Sequence, residues 1–161
     1  MTNIYQGQYR ISRIQLINWG TFHGYFSIPV ARKGFLITGG SGSGKSTLLD
    51  AMSAVLVPQK DLKFNAASQQ DLGRHDGRNL VSYVRGAWRQ QENTQTGEIA
   101  PEYLRTGATN SIVALTYDNG AGKQHTLIAI FRLNGGENSV SQVKKLYGVV
   151  PVSYTHLRAH E

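Results

Sequence analysis

A chain of 161 residues is long enough for one domain with its own core, and the absence of cysteine excludes disulfides and thiolate metal sites. Its 17 Lys and Arg against 10 Asp and Glu give a formal charge of +7, which favours a polyanionic partner such as nucleic acid, a nucleotide or an acidic membrane face. No run is apolar for long enough to span a bilayer, and residues 1–14 lack the apolar stretch of a signal peptide, so no membrane partner and a cytoplasmic location are expected.

Residues 10–19 mix polar and apolar positions at a period near two and are expected to form a strand. A turn at 20–23 leads to a second short strand at 24–30. After a basic turn, the apolar run 34–38 is expected to be a buried strand. It feeds Gly39, Gly40, Ser41, Gly42, Ser43, Gly44, Lys45, Ser46 and Thr47, which contain G-x-x-x-x-G-K-[ST] in full. From Lys45 to Val57 the apolar Leu48, Leu49, Met52, Val55 and Leu56 recur at helical spacing, and Pro58 stops the helix.

The chemistry of this loop follows from its residue types. Glycines let backbone N–H groups turn inward without side chains in the way, and a helix start adds further free N–H groups, so the segment suits a polyanion. Lys45 is placed to reach the β- and γ-phosphates, the Ser46 hydroxyl to ligate Mg²⁺, and Thr47 to touch the α-phosphate. The expected ligands are ATP and Mg²⁺, held by residues 39–47 with Ser46 as the metal ligand.

Beyond the helix, residues 59–78 are polar with little periodicity and read as a long loop. Residues 80–88 fit a short helix or strand, and 90–109 read as a second polar excursion. Residues 111–117 and 125–133 are two strong strands joined by the turn residues 118–122, and 134–138 form another turn before a possible strand in 139–150. The expected fold is α/β: a P-loop NTPase core with an added antiparallel β-sheet. The last ten residues, VSYTHLRAHE, translate one reading frame of a transposase-type sequencing adapter, GTCTCTTATACACATCTCCGAGCCCACGAG. The expected organisation is therefore a domain over 1–151 and an artefactual tail over 152–161.

The run Ile14 to Phe22, then Phe35 to Gly39, then Gly44 to Ala51 resembles the N-terminal half of an SMC-like, condensin-type ATPase head. Within that superfamily it is most similar to the ATPases of the Wadjet plasmid-defence system (the JetC group, related to MksB and MukB). Residues 63–67 and 78–86 add to the likeness, which covers most of 10–133. The resemblance implies an ABC-type head whose N-terminal lobe carries the phosphate loop. A signature motif and a Walker B Asp-Glu pair would lie in a C-terminal half, beyond a long coiled coil. It further implies ATP held between two heads, DNA as partner, accessory subunits, and ATP hydrolysis by the full-length protein in plasmid defence or chromosome organisation. This chain alone is expected not to turn over, having no acidic base and metal-holding Asp of the Walker B type.

Two segments imitate the missing motifs. Leu133 to Glu137 resembles an ABC signature, but no amphipathic helix follows, so a hairpin turn is expected. Residues 112–115 before Asp118 resemble a Walker B strand, yet Asp118, Asn119 and Gly120 form a turn signal with no Glu beyond, so no catalytic residue is assigned there. A glutamine-loop residue is implied after the first helix, and Gln59, Gln69, Gln70, Gln90 and Gln91 are all open. Arg32, Lys33, Arg74, Arg78, Arg85 and Arg89 are scattered cations, expected to be mostly solvated, some of which could touch phosphates. Trp19, Tyr25 and Trp88 are expected to pack in the core rather than stack on adenine. His23, His75 and His125 show no metal-ligand spacing. Two rival functions stand beside the motor: the ATPase subunit of a membrane transporter, and a non-hydrolysing, nucleotide-regulated binding module.

Overall fold

The computed structural model describes residues 7–64, 78–92 and 99–153. Strands β1 (Arg10–Trp19), β2 (Phe22–Pro29), β5 (Thr109–Asp118), β6 (Lys123–Leu133) and β7 (Lys144–Ser153) form one antiparallel sheet in the order β2-β1-β5-β6-β7. Strands β3 (Ala87–Glu92) and β4 (Ile99–Tyr103) form a separate two-stranded ribbon. Helices α1 (Lys45–Leu56) and α2 (Leu80–Arg85) pack on the large sheet.

Alternation in β1 decides which face of that sheet is covered. Ile14 and Leu16 are buried, and their registers across β5 and β6 align Leu16 with Val113 and Ala129, all fully buried. Phe131 and Leu133 extend the same inner surface. Ala51 and Ala54 of α1 are buried in this core, where small side chains permit a close approach of helix to sheet. Trp19 closes the core at the end of β1. Its ring stacks on Tyr83 of α2 at 4.8 Å and 8°, lies 5.5 Å from Phe131, and its indole N–H donates to the carbonyl of Thr47 at 3.0 Å. One residue thus ties the sheet to both helices.

Two buried arginines fix the loops around α2. Arg85 donates from Nη1 to the carbonyls of Arg105 at 3.3 Å, Thr106 at 3.0 Å and Gly107, and from Nη2 to those of Asn134 at 2.6 Å and Glu137 at 2.8 Å. Arg105 donates to the carbonyls of Val84 at 2.9 Å, Gly20 at 2.8 Å and Tyr83 at 3.1 Å. The last carbonyls of α2, which a helix leaves without intrahelical donors, are therefore satisfied by a side chain from a distant loop. Burial lowers the Arg105 pKa to about 10, so the guanidinium stays protonated at neutral pH.

The antiparallel sheet expected beyond the helix is present, and β1, β2, α1, β5 and β6 lie where the periodicity put them, within a few residues at each end. Three expectations change. Residues 34–38 are not a buried strand: they are irregular, with Phe35 44% and Leu36 84% exposed. Among the described residues no strand runs beside this segment, so its backbone has no ladder to join, and of its apolar side chains only Ile37 packs against the core. Residues 90–109 are not a plain loop, because β3 and β4 pair through Gln90↔Pro101 and Gln91↔Ala100. Residues 80–88 divide, with α2 ending at Gly86 before β3 begins. Strand β7 pairs with β6 as far as Ser153↔Lys123.

Candidate phosphate-binding site

The loop before α1 holds glycine where a side chain would be strained or would collide. Gly44, the residue capping α1, has φ 90°, and a Cβ there would come within 3.2 Å of the Phe22 ring. A Cβ on Gly39 would lie 2.6 Å from the Ser43 hydroxyl. No side chain caps the N-terminus of α1 and no acidic residue stands in its first turn, so its leading N–H groups are left for a ligand.

Lys45 folds back over the loop. Its ammonium donates to the carbonyls of Gly39 at 2.7 Å and Gly40 at 2.6 Å, and contacts the Ser43 hydroxyl at 3.3 Å. Those two glycines thus serve through their carbonyls, while Ser41 to Thr47 line a cavity of about 300 Å³. Thr21, Arg78, Ala87 and Trp88 complete the wall. Lys45 and Arg78 are both cationic, and among the described residues no lining residue is a carboxylate. The cavity is therefore electrostatically selective for an anion.

Ser46 is half-buried on the wall with its hydroxyl in the sequence position for a metal ligand. No group of three His, Cys, Asp or Glu that could hold a metal occurs among the described residues. A Mg²⁺ here would have to arrive on phosphate oxygens and take Ser46 as its protein ligand, and the residues present fit that arrangement. Thr47 is buried, and a Cβ on Gly20 would lie 2.6 Å from its methyl group.

Beneath the cavity, the Tyr83 hydroxyl donates to the buried Asp50 carboxylate on α1, and Arg78 stands beside the same hydroxyl. Burial, and then the Asp50 bond, raise the Tyr83 pKa well above its ordinary 10.0. The neutral phenol is the favoured form in the fold, so this bond's stability is complete below about pH 10 and is lost as pH climbs toward the folded value. Tyr83→Phe should cost about 1.5–3 kcal/mol at neutral pH. It should also flatten the alkaline fall in stability, read as urea midpoints across pH 8 to pH 11.

Of the other sequence candidates, Trp19 is core, as expected. Tyr25 is instead 60% exposed on β2, where its hydroxyl accepts from Gln15 at 2.8 Å. Trp88 is 49% exposed on the cavity wall rather than packed in the core. Arg78 joins it there, whereas Arg85 is a buried structural residue and not a solvated cation. Arg32 braces the β5–β6 turn, 3.7 Å from the Asp118 carboxylate and 3.2 Å from its carbonyl. Gln59 turns to the Tyr147 hydroxyl at 2.7 Å and Lys145 at 2.5 Å. Gln90 and Gln91 lie on β3. Gln69, Gln70, Arg74 and His75 lie outside the described residues.

Both motif imitations are turns. Glu137 accepts from the Asn134 backbone N–H at 2.6 Å and its side-chain amide at 3.0 Å, and these bonds lower its pKa. Asp118 accepts from Gln124 at 3.0 Å and Gly120 at 2.5 Å, with its pKa lowered chiefly by Gln124.

Residues 11–71 match the family model described as the P-loop containing region of AAA domain. No curated protein matches the chain. The match covers β1 from residue 11, β2, the phosphate loop and α1, and of these the loop and the start of α1 line the cavity. The chain carries a P-loop NTPase-like region, the kind of region that binds nucleotides. No helix among the described residues is long and apolar enough to cross a membrane.

Proposed function

We propose that this chain is the ATP-binding N-terminal half of an SMC-like, condensin-type head. Mg·ATP binds with its phosphates on the loop of residues 39–47 and the N-terminus of α1. The observation that carries the reading is the cavity itself: the uncapped start of α1, Lys45 and Arg78 line about 300 Å³, and among the described residues no acid stands on its wall.

The half-head reading draws support from surface left bare. Leu36, Leu49 and Leu56 are 84%, 55% and 47% exposed, on the segment entering the loop and on α1. Monomer surfaces carry single exposed apolar residues freely, but a phosphate-loop strand and its helix ordinarily sit between layers. Further chain from the same protein is the proposed cover. In the complete head, hydrolysis would use acidic residues brought by that chain, and the cycle would act on DNA with a second head and accessory subunits.

Full-length protein should hydrolyse ATP faster in the presence of DNA, and Lys45→Ala should abolish that turnover. The chain of residues 1–161 alone should bind Mg·ATP and show no turnover above background. Substantial hydrolysis by this chain would overturn the half-head reading. The absence of a carboxylate among the described residues of the cavity wall also favours a second reading, a nucleotide-controlled binding module. Partner binding retained with no turnover in the full-length protein would select it.

A further inference from the structure

We propose that Trp88 is the platform on which the purine base of the bound nucleoside triphosphate stacks. The inference rests on the reading of residues 39–47 as a triphosphate site and adds what holds the other end of the ligand.

The chain has two tryptophans with opposite fates. Trp19 is fully buried in the core, whereas Trp88 is 49% exposed on the wall of the phosphate cavity. A large aromatic ring costs least when covered, so one left half in water beside a cationic loop has surface to offer a planar ligand. Its neighbour Ala87, also on the wall, adds only a methyl group, which keeps the approach to the ring open.

The ring stands on firm backbone. The Gly86 carbonyl accepts from the Leu104 N–H at 3.1 Å, and the Arg85 carbonyl from the Arg105 N–H at 3.0 Å. These bonds join the start of β3 to the buried arginine cluster, and Arg105 in turn binds the Gly20 carbonyl next to Thr21 on the cavity wall. The Arg89 guanidinium lies 5.6 Å from the Trp88 ring centroid and 3.6 Å from the Glu102 carboxylate, which restricts the ring further. A preorganised aromatic face loses little freedom when a base settles on it.

Stacking reads the flat face of a base and not its hydrogen-bonding edge, so it is tolerant of base identity. Mg·ATP and Mg·GTP should therefore bind within about threefold of each other, and both should bind more tightly than Mg·tripolyphosphate, which has no base.

Calorimetric titration of the 161-residue chain and its Trp88→Ala and Trp88→Phe variants with these three ligands tests the proposal. Trp88→Ala should weaken ATP and GTP binding about tenfold, leave tripolyphosphate unchanged, and be largely rescued by Trp88→Phe. Tryptophan fluorescence of the unaltered chain should be quenched by ATP and not by tripolyphosphate, which decides the matter if Trp88→Ala fails to fold. Equal affinity of the unaltered chain for ATP and tripolyphosphate, or equal losses on both ligands in Trp88→Ala, would overturn the platform alone. Failure of the folded, unaltered chain to bind either ligand would remove the triphosphate site, and the platform with it.

Discussion

Lys45→Ala should weaken Mg·ATP binding roughly a hundredfold, about 3 kcal/mol, while leaving the fold almost as stable as before. The two effects separate because of where the ammonium sits. Without ligand it is held by the carbonyls of Gly39 and Gly40, both on exposed loop residues that water can satisfy equally well. With ligand the same ammonium faces phosphate oxygens, where a charge-assisted bond has no comparable substitute. Thermal melts of the variant without nucleotide should therefore lie close to those of the unaltered chain. The rise in Tm that saturating Mg·ATP gives the unaltered chain should disappear. Lys45→Arg should recover only part of the affinity, since a planar fork does not fit a point held by two converging carbonyls. Undiminished ATP binding by Lys45→Ala would place the ligand elsewhere.

Arg85→Met should have the opposite signature, a large loss of stability from a residue that does not line the cavity. Two terms compete. Removing a fully buried guanidinium relieves the cost of holding that charge away from water. It also takes the guanidinium donor from the carbonyls of Arg105, Thr106 and Glu137, whereas those of Gly107 and Asn134 keep the Thr109 hydroxyl and the Glu137 N–H. At about 1–3 kcal/mol for each acceptor left without a donor, the second term wins, and a net loss of about 3–5 kcal/mol is expected. Arg85→Lys should rescue little, because one ammonium cannot reach both groups of carbonyls that Nη1 and Nη2 divide between them. Urea unfolding followed by circular dichroism measures both variants. A midpoint unchanged in Arg85→Met would show that water satisfies these loops as well as the arginine does.

The parts of this fold legible from the sequence are those whose signal is local. Strand β1 announces itself because Ile14 and Leu16 face one layer of core while Gln15 does not. The loop and α1 are legible because a phosphate cradle needs glycine at particular backbone angles, as at Gly44. The β5–β6 hairpin follows from two alternating runs around Asp118, Asn119 and Gly120. Residues 34–38 misled because an apolar run reports a preference for burial and not whether a neighbouring layer is there to provide it, which Ile37 finds and Phe35 and Leu36 do not. The ribbon of β3 and β4 was hidden because Arg89, Gln90 and Gln91 give it no apolar face, and Pro101 sits inside β4.

The site divides the same way. Its cationic loop is contiguous in sequence and could be read as a motif. Arg78 and Trp88 reach the cavity only because α2 is pinned against β1, through the Trp19–Tyr83 stack and the grip of Arg105 on Gly20 and Tyr83. No spacing rule links Lys45 to residues more than thirty positions away whose placement depends on a buried arginine.

The central claim is that residues 39–47 form a site for the phosphates of a magnesium-bound nucleotide. Titration calorimetry of the folded 161-residue chain with ATP, with and without Mg²⁺, addresses it most directly. The expected result is saturable uptake of one ATP per chain, tighter with Mg²⁺ present and lost in Lys45→Ala. No heat of binding at millimolar Mg·ATP, from a chain shown by circular dichroism to be folded, would contradict it.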